Sequence, residues 1–423
     1  MTNIRALAAS NYCVGCGTCS SACPEQVITM SLSFKYGQFR PEVINGCIDC
    51  EKCISVCPPL NGFGCIDGGR PNPMGDVASS RVVCSKDDNI RELGSSGGFL
   101  THLLVEMIEM GKIDGVLLVK MSDSNPIRTE TYLAKTREDI IAAAGSKYLP
   151  VPLNAFLGAL EEGRYAFVGL PCHIYGLDLM IKEGLIKGTI IIKIGLFCGH
   201  MPTHHGMEQF LSINGLDDKK IKLLNFRRGG YPGTTKILTD SRELKVPYND
   251  SYAIWGSSLF YSSGCLYCHD QTAEDADISM GDPWNTAFSK DRLGYTLVLT
   301  RSERGEMLVQ ELIKCGSVDS KEIEVGEGSK SQTQGLYFKK KCVPNVKFEI
   351  TGDMVIKVPV RNKVVALGSI VHVQHRIIGA IGRKPLARLI FRKMPSLIRM
   401  DVGRLGPMTI GHRLYTWGMK NGK

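Results

Sequence analysis

Between Phe99 and Gly111 the apolar side chains Phe99, Leu103, Leu104, Met107 and Ile108 recur at the spacing of one helical face. A short apolar run, Gly115–Val119, follows and predicts a strand. The alternation then repeats. Leu153–Gly163 reads as helix, Tyr165–Leu170 as strand, Ile174–Leu185 as helix, and Thr189–Phe197 as a fully buried strand. Asp277–Met280 and Thr296–Thr300 are two more strand candidates, with a helix predicted over Glu303–Lys314. Strands separated by helices of this length predict a parallel sheet, so the fold class is α/β, in a mixed α+β chain.

Ahead of this pattern, residues 11–60 are rich in cysteine, and Pro58–Gly75 is dominated by Gly, Pro and Asn, the composition of a linker. Four segments result: a cysteine-rich domain over 1–62, a linker over 63–79, an α/β domain over 80–330 and an extension over 331–423. The chain is long enough for each domain to bury its own core. Its 43% hydrophobic and 22% charged residues exclude global disorder. The net charge of +9 is unevenly placed: residues 361–423 hold 13 Lys/Arg against the single acid Asp401, so the surplus lies wholly in the tail. That predicts an anionic partner for the tail and not for the whole chain.

Sixteen cysteines would suggest disulfides in a secreted protein. Met1–Tyr12 carries no continuous apolar stretch, and no run approaches the roughly 18 apolar residues of a membrane span, so the expected location is the cytoplasm. Reduced thiols there are free to bind metal. Cys13-x2-Cys16-x2-Cys19-x3-Cys23-Pro24 recurs as Cys47-x2-Cys50-x2-Cys53-x3-Cys57-Pro58. Three closely spaced thiolates wrap one iron–sulfur cube, and the fourth crosses to the other cube, as in two-cluster ferredoxins of bacterial type. The pairing expected is Cys13, Cys16, Cys19 and Cys57 on one 4Fe-4S cluster, with Cys47, Cys50, Cys53 and Cys23 on the other. Zinc also uses Cys-x2-Cys pairs, but two complete copies of the motif favour clusters.

Four later cysteines form a separate constellation. Cys172 and Cys198 each follow a predicted strand, and in a parallel sheet both emerge at the ligand-binding edge. Cys265-Leu-Tyr-Cys268 supplies a further pair, which completes a four-thiolate set for a third 4Fe-4S cluster. The alternative is two buried structural thiols and a redox dithiol. Cys65, Cys84, Cys315 and Cys342 show no pattern. Gly94-Ser95-Ser96-Gly97-Gly98 precedes the Phe99 helix, where small residues let backbone amides approach a phosphate; the same residues also make an ordinary helix cap. Clusters move single electrons and most organic substrates take two, so a flavin is the usual converter between them.

In this order the paired cysteine motif, Gly94–Gly98, Gly145-Ser-Lys-Tyr148, Gly169-Leu-Pro-Cys-His173, Leu196-Phe-Cys198, Cys265-x2-Cys268 and Ala276-Asp-Ile-Ser-Met-Gly-Asp-Pro-Trp284 resemble the coenzyme F-420 (a deazaflavin) hydrogenase/dehydrogenase beta-subunit family. That family includes a plant chlorophyll-cycle reductase and bacterial proteins linked to surface-polysaccharide genes. The resemblance implies an FAD-binding central domain with a 4Fe-4S cluster beside the flavin. Carried over by motif, it assigns FAD contacts to Ser95, Ser96, Gly97, Gly98, Ser146, Lys147, Tyr148, Gly169, Leu170 and Pro171. It assigns the adjacent cluster to Cys172, Cys198, Cys265 and Cys268. His173 stands where many members carry glutamine, and nothing marks a deazaflavin pocket.

His173 and Asp282 are the preferred proton donors, because hydride chemistry commonly needs one nearby. Adjacent His204 and His205 point about 100° apart on a helix and predict a solvated helix start. Arg227-Arg228-Gly229-Gly230 reads equally as a surface loop or as a grip on phosphate or carboxylate. In the tail, Lys384, Arg388 and Arg392 form a basic stripe beside Leu386, Leu389, Ile390 and Phe391, with Pro385 and Pro395 bounding a helix. Such a basic helical tail suits an anionic membrane surface, which would make the protein peripheral, an acidic protein, or a core with one solvated basic face. Nucleic acid is a poor partner, since no reading module accompanies the charge. The function expected is an iron–sulfur flavoprotein oxidoreductase that passes electrons between a ferredoxin or deazaflavin carrier and a small-molecule substrate. The alternatives are a non-catalytic electron-transfer subunit and an accessory protein of polysaccharide assembly.

Overall fold

The computed structural model describes residues 4–64, 72–216, 220–343, 346–351, 354–359 and 366–393. Cys65, part of the expected linker, Pro395 and most of the basic tail lie outside the described residues, as does the side chain of Arg392. An eight-stranded sheet runs in the order Val318–Glu322, Ser79–Ser85, Thr296–Thr300, Ile278–Gly281, Thr189–Leu196, Arg164–Gly169, Gly115–Met121, Thr129–Ala134. Its four central strands, from Ile278–Gly281 to Gly115–Met121, are mutually parallel, with Val168 opposite Ile194 and Met280 opposite Leu196. The flanking strands are antiparallel. Thr296–Thr300 therefore departs from the all-parallel expectation. It returns from Ile278–Gly281 without the crossover helix that a parallel neighbour needs.

Alternate residues of the central strands feed two cores. Val116, Leu118, Ala166 and Val168 join Phe99, Leu103, Leu104 and Met107 of the helix Phe99–Glu109. Leu117 and Phe167 point the other way, onto Ile174, Leu177 and Met180 of the helix Pro171–Lys182. Pro171 begins that helix three residues earlier than expected, because its fixed φ suits the first helical position. The predicted Leu153–Gly163 helix is only a 3-10 turn over Leu153–Ala159.

Ala22 and Val56 of the cysteine-rich segment sit in the second core, so that segment packs on the same sheet face as the Pro171 helix. It carries one hairpin, Ile28–Ser33 with Gln38–Val43, and is pinned by buried polar groups. The Asn154 amide donates to the Cys16 carbonyl at 2.9 Å, and its side-chain nitrogen donates to Thr18 Oγ1 and the His173 carbonyl, each at 2.9 Å. Gly17 has φ 89°, and a Cβ there would stand 2.6 Å from the Ala155 nitrogen, so only glycine permits this approach.

A second sheet, Glu243–Pro247, Thr234–Thr239 and Ile221–Arg228, was not predicted, and it removes Arg227 and Arg228 from any surface loop. His204 and His205 are buried at the start of the helix His204–Ile213, contrary to the solvated start expected. The Gly37 hairpin turn covers them, with the His204 amide donating to the Gly37 carbonyl at 2.7 Å. The C-terminal extension is also more than an appendage. Phe348 stacks on Tyr12 at 3.9 Å and meets Tyr267 edge-on at 5.1 Å, so the hairpin Val346–Thr351 with Met354–Pro359 packs between the cysteine-rich segment and the Cys265–Cys268 loop. Among the described residues no helix is long and apolar enough to cross a membrane.

Candidate functional site

The twelve candidate metal ligands stand in three groups. Cys57 lies within electrostatic reach of Cys13, Cys16 and Cys19, and Cys53 within reach of Cys50, Cys23 and Cys47. The ferredoxin spacing predicts the same grouping, and Cys19 also lies within reach of Cys53, where the two groups adjoin. Burial, then like-charge repulsion among the thiols, pushes Cys19 and Cys57 well above the ordinary thiol range, and burial takes Cys16 up to about 11. Thiols so placed ionise only against strong positive charge, which the irons of a cube supply. Cys13, Cys16, Cys19 and Cys57 are buried, whereas Cys47 and Cys50 are exposed, so one group is sheltered and the other opens to solvent.

Cys172 starts the Pro171 helix, Cys198 follows the strand Thr189–Leu196, and Cys265 and Cys268 come from a 3-10 loop. The chain brings them together: burial first, then Cys16, Cys268, Cys198 and Cys265, raises the Cys172 thiol well above its ordinary value. Cys16 belongs to the sheltered N-terminal group, so the two groups adjoin. A Cβ on Gly264 would come 2.7 Å from the Tyr12 carbonyl oxygen and 2.8 Å from that of Cys13, which shows how closely the loop lies on the cysteine-rich segment. The Met201 amide points at Cys265 Sγ (3.4 Å) and the Gly15 amide at Cys13 Sγ (3.4 Å), contacts that would favour the reduced state of any cluster these sulfurs held. Among the described residues no three or more Cys, His, Asp or Glu side chains are gathered closely enough to hold a single metal ion.

Sequence reasoning missed the charge beside this third group. Lys339 is 2% exposed and donates to the Cys265 carbonyl at 3.4 Å. Burial opposes its charge, but Cys268, Cys265, Cys198 and Asp270 outweigh that and hold the ammonium above its ordinary value. Within the run Lys339-Lys340-Lys341 nothing in the sequence distinguishes it from a solvated lysine.

At the C-terminal edge of the parallel strands lies a cavity of about 720 Å³. Ser95, Ser96, Gly98, Ser146, Lys147, Tyr148, Gly169, Leu170 and Cys198 line it. Gly97 and Pro171 do not; Gly97 packs against the Tyr295–Thr296 backbone and Pro171 is buried at its helix start. The residues present fit a dinucleotide flavin. The Ser95–Gly98 turn opens the Phe99 helix, and beside it two half-buried cations, Lys147 and Arg228, have no carboxylate partner among the described residues. Burial and then Arg228 bring Lys147 down to about 7, and burial lowers Arg228. An anionic phosphate would relieve both. Lys147 Nζ meanwhile rests on the Ala143 and Gly145 carbonyls, and Ser95 Oγ accepts from the Ser146 amide at 2.8 Å.

Neither expected proton donor is free. His173 is buried and neutral, near a pKa of about 4, chiefly through desolvation; its Nδ1 accepts from the Leu170 amide at 3.3 Å, and its ring also bonds the Val151 backbone. It is a strut at the helix start. Asp282 is held by Arg227, whose Nη1 lies 2.7 Å from Asp282 Oδ2 and whose Nη2 lies 3.3 Å from Oδ1. Arg227 also donates to the Pro232 and Ser95 carbonyls at 2.7 and 2.9 Å and lies over the rings of Tyr248 and Trp284. Tyr148 stacks on Trp255 at 4.5 Å. This aromatic wall, scattered over more than a hundred residues, had no sequence signature.

Comparison with known proteins accords with these features. Residues 12–60 match the 4Fe-4S dicluster domain, and residues 82–158 and 162–325 match the N-terminal and C-terminal parts of the coenzyme F420 hydrogenase/dehydrogenase beta subunit. The coenzyme F420-dependent sulfite reductase of Methanocaldococcus jannaschii is 28% identical over 349 residues, which is 74% of this chain and 48% of that protein. This chain thus spans about half the length of that relative. The coenzyme F420 hydrogenase subunit beta of Methanococcus voltae is 25% identical over 64% of this chain and 93% of its own length. A chain of the F420-reducing [NiFe] hydrogenase complex from Methanosarcina barkeri shares the fold, with a TM-score of 0.51 and 22% identity over 64% of this chain and 91% of that one. With both parts of one model matched in order behind the dicluster domain, the chain belongs to the coenzyme F420 hydrogenase/dehydrogenase beta-subunit family.

Proposed function

We propose that this protein is an iron–sulfur flavoprotein oxidoreductase that passes electrons between a soluble redox carrier and a small-molecule substrate. The observation that carries the reading is the adjacency of Cys172 to Cys16, which makes the three thiol groups and the cavity one continuous series. Residues 1–62 form the two-cluster part, 80–330 the part holding FAD and a third 4Fe-4S cluster, and 331–423 the extension. Bound, the clusters supply single-electron relay and FAD the exchange between one-electron and two-electron chemistry.

The chain's own residues do the rest. Cys47 and Cys50, exposed at one end of the series, face the carrier, which is a ferredoxin or, by the names of the relatives, coenzyme F420. Buried Cys13, Cys16, Cys19 and Cys57 exclude water from the middle of the path. Ser95, Ser96, Gly98, Ser146 and Lys147 would hold the flavin's phosphates, with Tyr148, Gly169 and Leu170 lining the rest of the cavity. Arg227 holds Asp282 at the cavity wall, where it would stand beside a bound substrate. A non-catalytic electron-transfer subunit is the second reading, favoured by relatives named as beta subunits.

Anaerobic reconstitution tests the proposal. Three clusters require about twelve irons and about twelve acid-labile sulfides per chain, with one FAD. The double variant Cys172→Ala/Cys198→Ala should lose about four of those irons. Zinc without labile sulfide overturns the cluster reading, and a chain that binds no flavin overturns the enzyme in favour of the relay subunit.

A further inference from the structure

The two C-terminal helices, Ala366–Gly382 and Pro385–Lys393, lie beyond the family match, which ends at residue 325. Their described side chains are arranged inside out. On the first helix the buried side is His372 and His375, with Gly379 and Gly382; His375 packs on the rings of Tyr261 and Phe338, and His372 on Tyr267. The outward side is Val373, Ile377 and Ile381, one turn apart and 49–56% exposed. On the second helix Phe391 is buried against Phe260, and the Gln209 side chain donates to the Arg388 carbonyl at 3.1 Å, while Leu386, Leu389 and Ile390 are 46–68% exposed. A surface helix of a soluble protein turns its branched aliphatic residues inward. Here two consecutive helices turn them outward, and the first turns its two histidines inward.

The charge around this face points to its occupant. Arg376 and Lys384 are exposed beside it, and residues 361–423 contain 13 Lys/Arg against one acid. Aliphatic side chains at the level of a basic rim match a leaflet of acyl chains beneath anionic headgroups. Neither helix is long and apolar enough to span it. We propose that the outer face of residues 373–390 docks flat on an anionic phospholipid surface and holds the redox domains at the membrane. The inference is independent of the cofactor reading.

The test is flotation of the full-length, iron-loaded protein with vesicles of equal parts phosphatidylcholine and phosphatidylglycerol, and with vesicles of phosphatidylcholine alone. Wild type should float with the mixed vesicles and not with the neutral ones. The triple change Ile377→Ser/Ile381→Ser/Leu386→Ser, all outward residues, should weaken binding by about tenfold or more with iron content unchanged. Equal flotation of the variant, or none by wild type, overturns the proposal. Ile377→Trp gives a reading that does not depend on the triple variant folding. Its added emission should shift to the blue on mixed vesicles and be quenched by brominated acyl chains. Emission that is already blue without lipid and unchanged by it means a second copy, an acidic protein or residues 394–423 cover the face, which also overturns it.

Discussion

Lys339→Met isolates one charge. Methionine keeps the length and apolar stem of the lysine, so the substitution removes the ammonium from beside Cys265, Cys268 and Cys198 with little change in packing. Lys339 is 2% exposed and its Nζ lies 3.4 Å from the Cys265 carbonyl oxygen, so water screens it poorly. For a cube held by these thiols whose centre lay about 5–8 Å from the ammonium, Coulomb's law with an effective dielectric constant of about 20 would give about 2–3 kcal/mol of preference for the more negative, reduced cluster. For one electron that is on the order of 100 mV. The midpoint potential of the central cluster, followed by electron paramagnetic resonance in an anaerobic redox titration, should therefore fall by about 100 mV in the variant. Lys339→Arg should stay near wild type. The potential of the exposed Cys47, Cys50, Cys53 and Cys23 cluster should move far less. A central midpoint that stays within about 20 mV of wild type at full iron content would refute the assignment of Lys339 as a tuning charge.

Other residues yield further tests. Arg227→Met strands Asp282, whose side chain is only 16% exposed, and should cost about 3–5 kcal/mol, read as a lower urea midpoint; Arg227→Met/Asp282→Leu should recover most of it. Lys147 has its pKa depressed to about 7 in the folded chain, so below pH 7 it is charged and at higher pH neutral. Anion binding needs the charged form, so FAD affinity, measured by fluorescence quenching, should fall as pH rises above about 7, at most tenfold per unit, and be flat in Lys147→Met. The same depression makes cofactor-free stability rise with pH from about 7 towards about 10.4, because the unfolded chain binds the proton more tightly there. Asn154→Ala removes the bonds to Thr18 and the His173 carbonyl and should cost about 1–3 kcal/mol, with faster hydrogen exchange over residues 13–21 than in wild type.

The parallel core was legible because its strands are unbroken apolar runs between helices of regular period. Gly115–Met121, Arg164–Gly169 and Thr189–Leu196 needed no tertiary information. The outer strand Val318–Glu322 reads Val-Asp-Ser-Lys-Glu and has a single buried side chain, so its polarity hid it. The Ile221–Pro247 sheet was hidden for a related reason: Leu223 and Leu238 face out, which breaks the alternation on which strand recognition rests. Metal-ligand spacing was legible at the N-terminus because local chain geometry sets it. Lys339, Arg227 and the aromatic wall act through contacts between residues far apart in sequence, and no local pattern encodes them. His173 and Asp282 were singled out for their chemical type, while their hydrogen-bond partners, which commit both, exist only in the folded chain.

The unequal shelter of the thiol groups has a consequence for how the protein is made. Cys13, Cys16, Cys19 and Cys57 lie under cover once Thr18 is seated on Asn154, so the donor that delivers their cube must act before that seat closes. Cys47 and Cys50 stay open in the finished fold. Filling the sheltered Cys13, Cys16, Cys19 and Cys57 site would therefore come before filling the open one. A cube lost to air at Cys47 and Cys50 would be open to replacement in the folded chain, whereas one lost from the sheltered thiols would need the fold to open first.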